Sequence, residues 1–154
     1  MAKQANGAFE VKLNPQADDK AGDPTVSRIL IEKQFHGDLD AVSKGQMLAA
    51  GTDVKGSAGY VAMERVAGSL QGHRGSFALQ HSGTITRGTP QLIITVVPDS
   101  GTGELVGRAG KMMINIVGGK HFYEFEISHH CFYITLLDKF LLYFKTLRLI
   151  YRVI

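Results

Sequence analysis

A single cysteine, Cys131, in a chain of 154 residues excludes an internal disulfide and any zinc site built on several cysteines. An export signal is equally missing: Met1 to Phe9 carries Lys3, then Gln4, Asn6 and Gly7, with no apolar run behind it. Both absences point to the cytoplasm. A basic surface is missing from most of the chain. Residues 1–127 balance thirteen basic against thirteen acidic side chains, so the formal charge of +3 comes wholly from residues 128–154. There Lys139, Lys145, Arg148 and Arg152 face Asp138 alone. A nucleic-acid partner needs Lys and Arg clustered on a folded surface, and the body offers no such cluster. Helix-length apolar stripes are also lacking before residue 128. Val42 to Ala50 is the one ambiguous stretch, because Met47, Leu48, Ala49 and Ala50 are good helix formers.

What the first 127 residues do have is glycine. All eighteen glycines lie at or before Gly119, and apolar runs alternate with turn residues at roughly ten-residue spacing. This pattern predicts eight antiparallel strands: Phe9–Leu13, Ser27–Phe35, Ala41–Ala50, Gly59–Val66, Gly72–Gln80, Gln91–Val97, Leu105–Val117 and His121–Ile127. Between them stand Asp23-Pro24, Gly37-Asp38, Gly51-Thr52-Asp53, Gly68-Ser69, Ser82-Gly83, Pro98 to Gly101, and Gly118-Gly119. Glycine and Asp supply the positive φ angles of hairpin turns. Eight such strands can close into a barrel and so remove their exposed edges. Glycines inside the strands, such as Gly45, Gly75 and Gly110, suit its bends. The expected fold is an all-β, eight-stranded antiparallel barrel over residues 1–127, with a two-sheet sandwich as the alternative.

Residues 128–154 are different material, without Gly or Pro and rich in Leu, Ile, Phe and Tyr. On a helical wheel Asp138, Lys145, Arg148 and Arg152 share about one quarter, with Lys139 breaking the pattern. Three readings compete: an interfacial membrane helix, a surface for a partner subunit, or an extension appended after the barrel has ended. Charges interrupt the run too early for a spanning helix.

Strand parity indicates which side chains face inward. Phe77, Leu79 and His81 form one set, and His121, Tyr123, Phe125 and Ile127 another. In Gly59–Val66, placing Arg65 toward solvent turns Tyr60, Ala62 and Glu64 inward. The interior then holds Glu64, His81, His121, Tyr60 and Tyr123 among Phe77, Leu79 and Phe125. An enclosed carboxylate must be paired or protonated, and a Glu–His pair is the minimum equipment for acid–base chemistry. Glu64 and His81 are therefore the candidate catalytic pair, and Tyr60, Phe77, His121 and Tyr123 the candidate ligand-binding residues. The plainer alternative is a structural network in which a histidine neutralises the glutamate.

Other motifs carry less. Pro98 to Leu105 contains a Gly-x-Gly but no third glycine and no following helix, so it reads as a hairpin connection, one able to fold over the barrel mouth. His129-His130-Cys131 lacks a fourth ligand for a metal site. His36 and His73 stand near strand ends. No nucleophile elbow or zinc-protease motif occurs, and no cofactor is expected.

Five runs resemble a bacterial family known as domain of unknown function 3224: Phe35 to Leu39, Gly56 to Ala62 with Glu64, Gly68 to His81, Ser100 to Leu105, and Gly119 to Tyr123. The resemblance spans about residues 7–127. It implies a small barrel similar to allene oxide cyclase and dirigent proteins, with a cavity able to take an elongated apolar molecule and a capacity to form oligomers. It implies no established activity, and the family pattern ends near Ile127.

Three functions follow as expectations. The barrel takes a small apolar or amphipathic ligand in its mouth; or it is a cyclase- or isomerase-like enzyme using Glu64 and His81; or it is a filled structural barrel whose outer face makes a homo-oligomer. Membrane contact is expected only if the C-terminal extension forms an interfacial helix.

Overall fold

The computed structural model describes residues 3–16 and 25–129. Their elements are β1 (Lys3–Pro15), β2 (Val26–Gly37), β3 (Leu39–Gly51), β4 (Ala58–Leu70), β5 (His73–Thr86), β6 (Thr89–Val96), β7 (Thr102–Gly103), β8 (Arg108–Val117) and β9 (Lys120–His129). Eight of these run in one antiparallel circuit, β1–β2–β3–β4–β5–β6–β8–β9, while the two-residue β7 pairs only with Gly75 and Ser76 of β5. Two long ladders rule out separate sheets. β4 pairs β5 from Ala58↔Ile85 to Leu70↔His73, and β9 returns to β1 from Ile127↔Lys3 to His121↔Phe9. The sheet is a closed barrel, and Val42–Ala50 lies inside β3 as a strand. β9 runs two residues past Ile127. The extension, apart from Ser128 and His129 at the end of β9, lies outside the described residues, together with the membrane-helix and partner readings made for it. Among the described residues no helix is long and apolar enough to cross a membrane.

Turn chemistry sets the hairpins. Gln71-Gly72, Arg87-Gly88 and Gly118-Gly119 each put two successive residues at positive φ, the two-residue loop whose twist matches antiparallel strands. Two expected turns prove to be strand. Gly68-Ser69 belongs to β4 and Ser82-Gly83 to β5. At Gly83 the glycine serves packing: a Cβ there would run into the Tyr60 ring, which lies over it from the directly paired position. Leu105, expected to start a strand, instead sits in the connection before β8 and is buried. That connection does fold over one end of the barrel. Glu104 accepts from the Arg74 backbone N–H at 2.7 Å, and Leu105 packs within reach of Gly75.

The interior is unequal along its axis. At the end covered by Leu105, it is filled by Phe35, Leu39, Leu70, Phe77, Leu79, Tyr123 and Phe125, all buried. Each such side chain contributes about 1.5–3 kcal/mol of hydrophobic stabilisation. Phe77 stacks on Phe125 at 5.7 Å between centroids, and Phe35 meets Tyr123 edge-on at the same distance. Toward the other end the same inward parity continues, but burial falls away. Val11, Ile29, Met47, Tyr60 and Ile114 are half-buried, and the rim residues Leu13 and Ile116 are 53% and 64% exposed. This end is open. It is also loosely seamed, since β6 and β8 share a single pair, Thr95↔Lys111, and β1 loses its β9 partner beyond Phe9.

Candidate functional site

Between the filled half and the open half lies a layer of polar side chains. Lys33, Ser43, Glu64 and His81 are 8%, 2%, 2% and 3% exposed, the buried polar and charged residues among those described. They come from four consecutive strands, β2 to β5. The Glu64 carboxylate is the hub. Oε1 accepts from Lys33 Nζ at 2.7 Å and lies 2.9 Å from His81 Nε2, while Oε2 accepts from Ser43 Oγ at 2.8 Å. Gly45 makes this geometry possible. It stands opposite Glu64 in the β3–β4 ladder, and a Cβ there would lie 2.6 Å from Glu64 Cβ. With that side chain missing, Glu64 reaches across β3 to the ammonium on β2.

Charge balance follows from these contacts. Burial alone pushes the Glu64 carboxyl pKa up, but the hydrogen bond from His81 and the charge and hydrogen bond of Lys33 outweigh it and hold it at about 2. The carboxylate is ionised at neutral pH. Lys33 Nζ also lies over two aromatic faces, 5.3 Å from the Phe9 ring centre and 5.7 Å from that of Phe35. Burial, then the negative charge of Glu64, raises the Tyr60 hydroxyl above its ordinary value.

The structure thus brings Glu64 and His81 together in direct contact, with Tyr60 on the open side of them over Gly83. His121 lies apart, half-buried, its ring stacked on Phe9 at 5.1 Å. With Phe9 and Val11 it lines a groove of about 650 Å³ between β1 and the β8–β9 turn. Tyr123 and Phe77 belong elsewhere. The Tyr123 hydroxyl accepts from the Leu39 N–H at 2.8 Å and lies 3.2 Å from the carbonyls of Asn6 and His36, tying β1, β2 and β3 at the filled end. Phe77 is core. His36 is at the surface, 2.8 Å from Glu10, and His129 is the last described residue, so the His-His-Cys run lies largely outside the description. Sequence reasoning missed Lys33 and Ser43. The signal was present: Lys33 falls in the inward set Ile29, Ile31, Phe35, a charge among apolar residues, and Ser43 between Ala41 and Gly45.

Fold and cluster together define a small closed β-barrel, filled at one end, apolar and open at the other, with an ion-paired layer between. The chain belongs to the family described as "Protein of unknown function (DUF3224)", whose model matches residues 5–127. It is similar to a solved structure of a DUF3224 protein of unknown function from Shewanella oneidensis MR-1, with 48% identity and a TM-score of 0.79 over 84% of this chain and 98% of that one. Comparison with curated proteins gives no match.

Proposed function

We propose that this barrel is a cytoplasmic binding module that takes a small apolar or amphipathic molecule into its open end. The observation that carries this reading is the gradient of burial along one inward-facing surface. The side chains that would complete a core are present at the rim, yet Leu13, Ile85, Leu92 and Ile116 remain 40–64% exposed. Apolar surface left open inside a concave wall, above a few convergent polar groups, is what a ligand site requires. The groove lined by Phe9, Val11 and His121 supports the same end. The test is titration with an uncharged alkyl probe, decanol, against a fluorescent apolar reporter, alongside native mass spectrometry of freshly purified protein. Saturable displacement, lost in Ile116→Asp, is expected. Neither displacement nor any co-purifying molecule would sink the reading.

A second reading, acid–base catalysis of a cyclase or isomerase kind, has its own support. Glu64 engages one nitrogen of His81, and the other, Nδ1, has no hydrogen-bond partner among the described residues. A carboxylate that fixes one ring nitrogen leaves the second to exchange a proton with a bound molecule. Turnover that survives both Glu64→Gln and His81→Ala would remove this pair from any mechanism. Association of copies is supported separately by the outer wall, where Leu48 and Val61 are paired and both exposed, beside Met63.

A further inference from the structure

We infer that the molecule taken into the open end carries an uncharged hydroxyl head, which donates to His81 Nδ1 and accepts from the Lys33 ammonium, with its apolar tail toward the rim. This inference rests on the binding-module reading and adds the class and orientation of the ligand.

The charge of the buried layer decides the first point. Lys33 and Glu64 lie 2.7 Å apart and cancel, and Ser43 adds no charge. The Glu64 carboxylate is ionised and can only accept, so His81 meets it at 2.9 Å through a proton on Nε2. That proton leaves Nδ1 of the neutral ring as an acceptor. The layer is thus neutral as it stands. A carboxylate or an ammonium brought into it would be a buried charge with no counter-charge, which is costly away from water. An uncharged head adds no such cost.

Unfilled hydrogen-bond positions narrow the head further. His81 Nδ1 has no partner among the described residues. Nor is it sealed in: among those residues, the side-chain atom wholly buried without a partner is Arg108 Nε. His81 faces inward, so its remaining exposure, 4% of the side chain, opens onto the lumen. Lys33, 6% exposed, gives one of its three N–H donors to Glu64. Its other neighbours are the faces of Phe9 and Phe35, which accept no ordinary hydrogen bond. Lys33 Nζ and His81 Nε2 meet at the same oxygen, Glu64 Oε1, so the two side chains border one spot. The seat therefore offers an acceptor beside donors. An ether or a ketone fills the donors alone. A hydroxyl fills both, donating through its proton and accepting on its oxygen, and it is small enough for so narrow an opening. The Tyr60 hydroxyl, without a hydrogen-bond partner among the described residues, adds polarity but no charge.

The experiment compares ligands with one tail, decanol, its methyl ether, decanoate and decyltrimethylammonium, binding to the full chain by calorimetry at neutral pH. Decanol is expected to bind about tenfold more tightly than the ether, the worth of one hydrogen bond to an otherwise unpaired buried acceptor. Both ions should bind more weakly than decanol. Nitrogen resonances of the free protein should show His81 protonated at Nε2 and bare at Nδ1. Decanol should shift the Nδ1 resonance, and the ether should leave it in place. Lys33→Met with Glu64→Gln keeps the layer neutral; checked as folded by circular dichroism, it should bind decanol several-fold more weakly. Alcohol and ether binding alike, with Nδ1 unmoved, overturns the hydroxyl head and leaves the binding module standing. Decanoate binding more tightly than decanol, or a proton on Nδ1, overturns the neutral seat. Decanol binding unchanged in the double variant overturns the contact with Lys33. Binding by none of these ligands sinks the module itself.

Discussion

Lys33 and Glu64 meet at 2.7 Å although they stand on β2 and β4, with β3 between them. Two features of β3 permit it: Gly45 contributes no side chain where one would block the path, and Ser43 donates to the carboxylate from the side. The pair is therefore a property of three strands in register, and its consequences are measurable.

Lys33→Met should destabilise the barrel strongly, because it leaves Glu64 buried with only His81 and Ser43 as partners. Breaking a buried pair from one side costs about 3–5 kcal/mol, and the remaining partners place this case at the lower end. Chemical denaturation should show that Lys33→Met with Glu64→Gln recovers much of the loss. A double variant no better than the single one would mean that the pair is not the coupled unit described.

The pH dependence has a definite sign. The folded-state Glu64 pKa is depressed from 4.5 to about 2. Its contribution is thus fully present above 4.5 and lost as pH falls toward and through about 2. The size is on the order of 3 kcal/mol. Denaturation midpoints followed across this window should fall more steeply for the wild type than for Glu64→Gln. Parallel curves would show that the carboxylate is not held down as stated.

Gly45→Ala should be costly and Gly59→Ala should not, although both are strand glycines. The new methyl at position 45 would lie 2.6 Å from Glu64 Cβ, whereas at position 59 its nearest neighbour is 3.8 Å away, an ordinary contact. Overpacking predicts a loss of about 1–3 kcal/mol at Gly45. At Gly59 the restricted unfolded chain predicts a change within about 1 kcal/mol, in the stabilising direction. Thermal melts of the two variants compare them directly.

Tyr123→Phe removes a hydroxyl but almost no apolar area. It leaves the buried Leu39 N–H without its acceptor, at a cost of about 1–3 kcal/mol. Hydrogen exchange at the Leu39 amide should accelerate, while decanol binding at the opposite end should be unchanged. A loss of binding would instead tie Tyr123 to the ligand site.

Alternation and turn residues by themselves indicated an all-β antiparallel chain with Glu64, His81, Tyr123 and Phe77 on inward faces, and the β4–β5 and β9–β1 ladders decided for a closed barrel over a two-sheet sandwich. A strand exposes its faces with a period of two, and glycine marks where the chain may reverse. The same rule applied to β2 puts Lys33 in the inward set with Ile29, Ile31 and Phe35, a step the sequence reading did not take. Only the tertiary structure decided which end is filled and which is open, and that Gly68 and Gly83 belong to strands. It also decided that Tyr123 closes the far end while Lys33 and Ser43 complete the Glu64–His81 pair. Those facts depend on register and on how far each strand outruns its neighbour, and parity within a single strand carries no information about either.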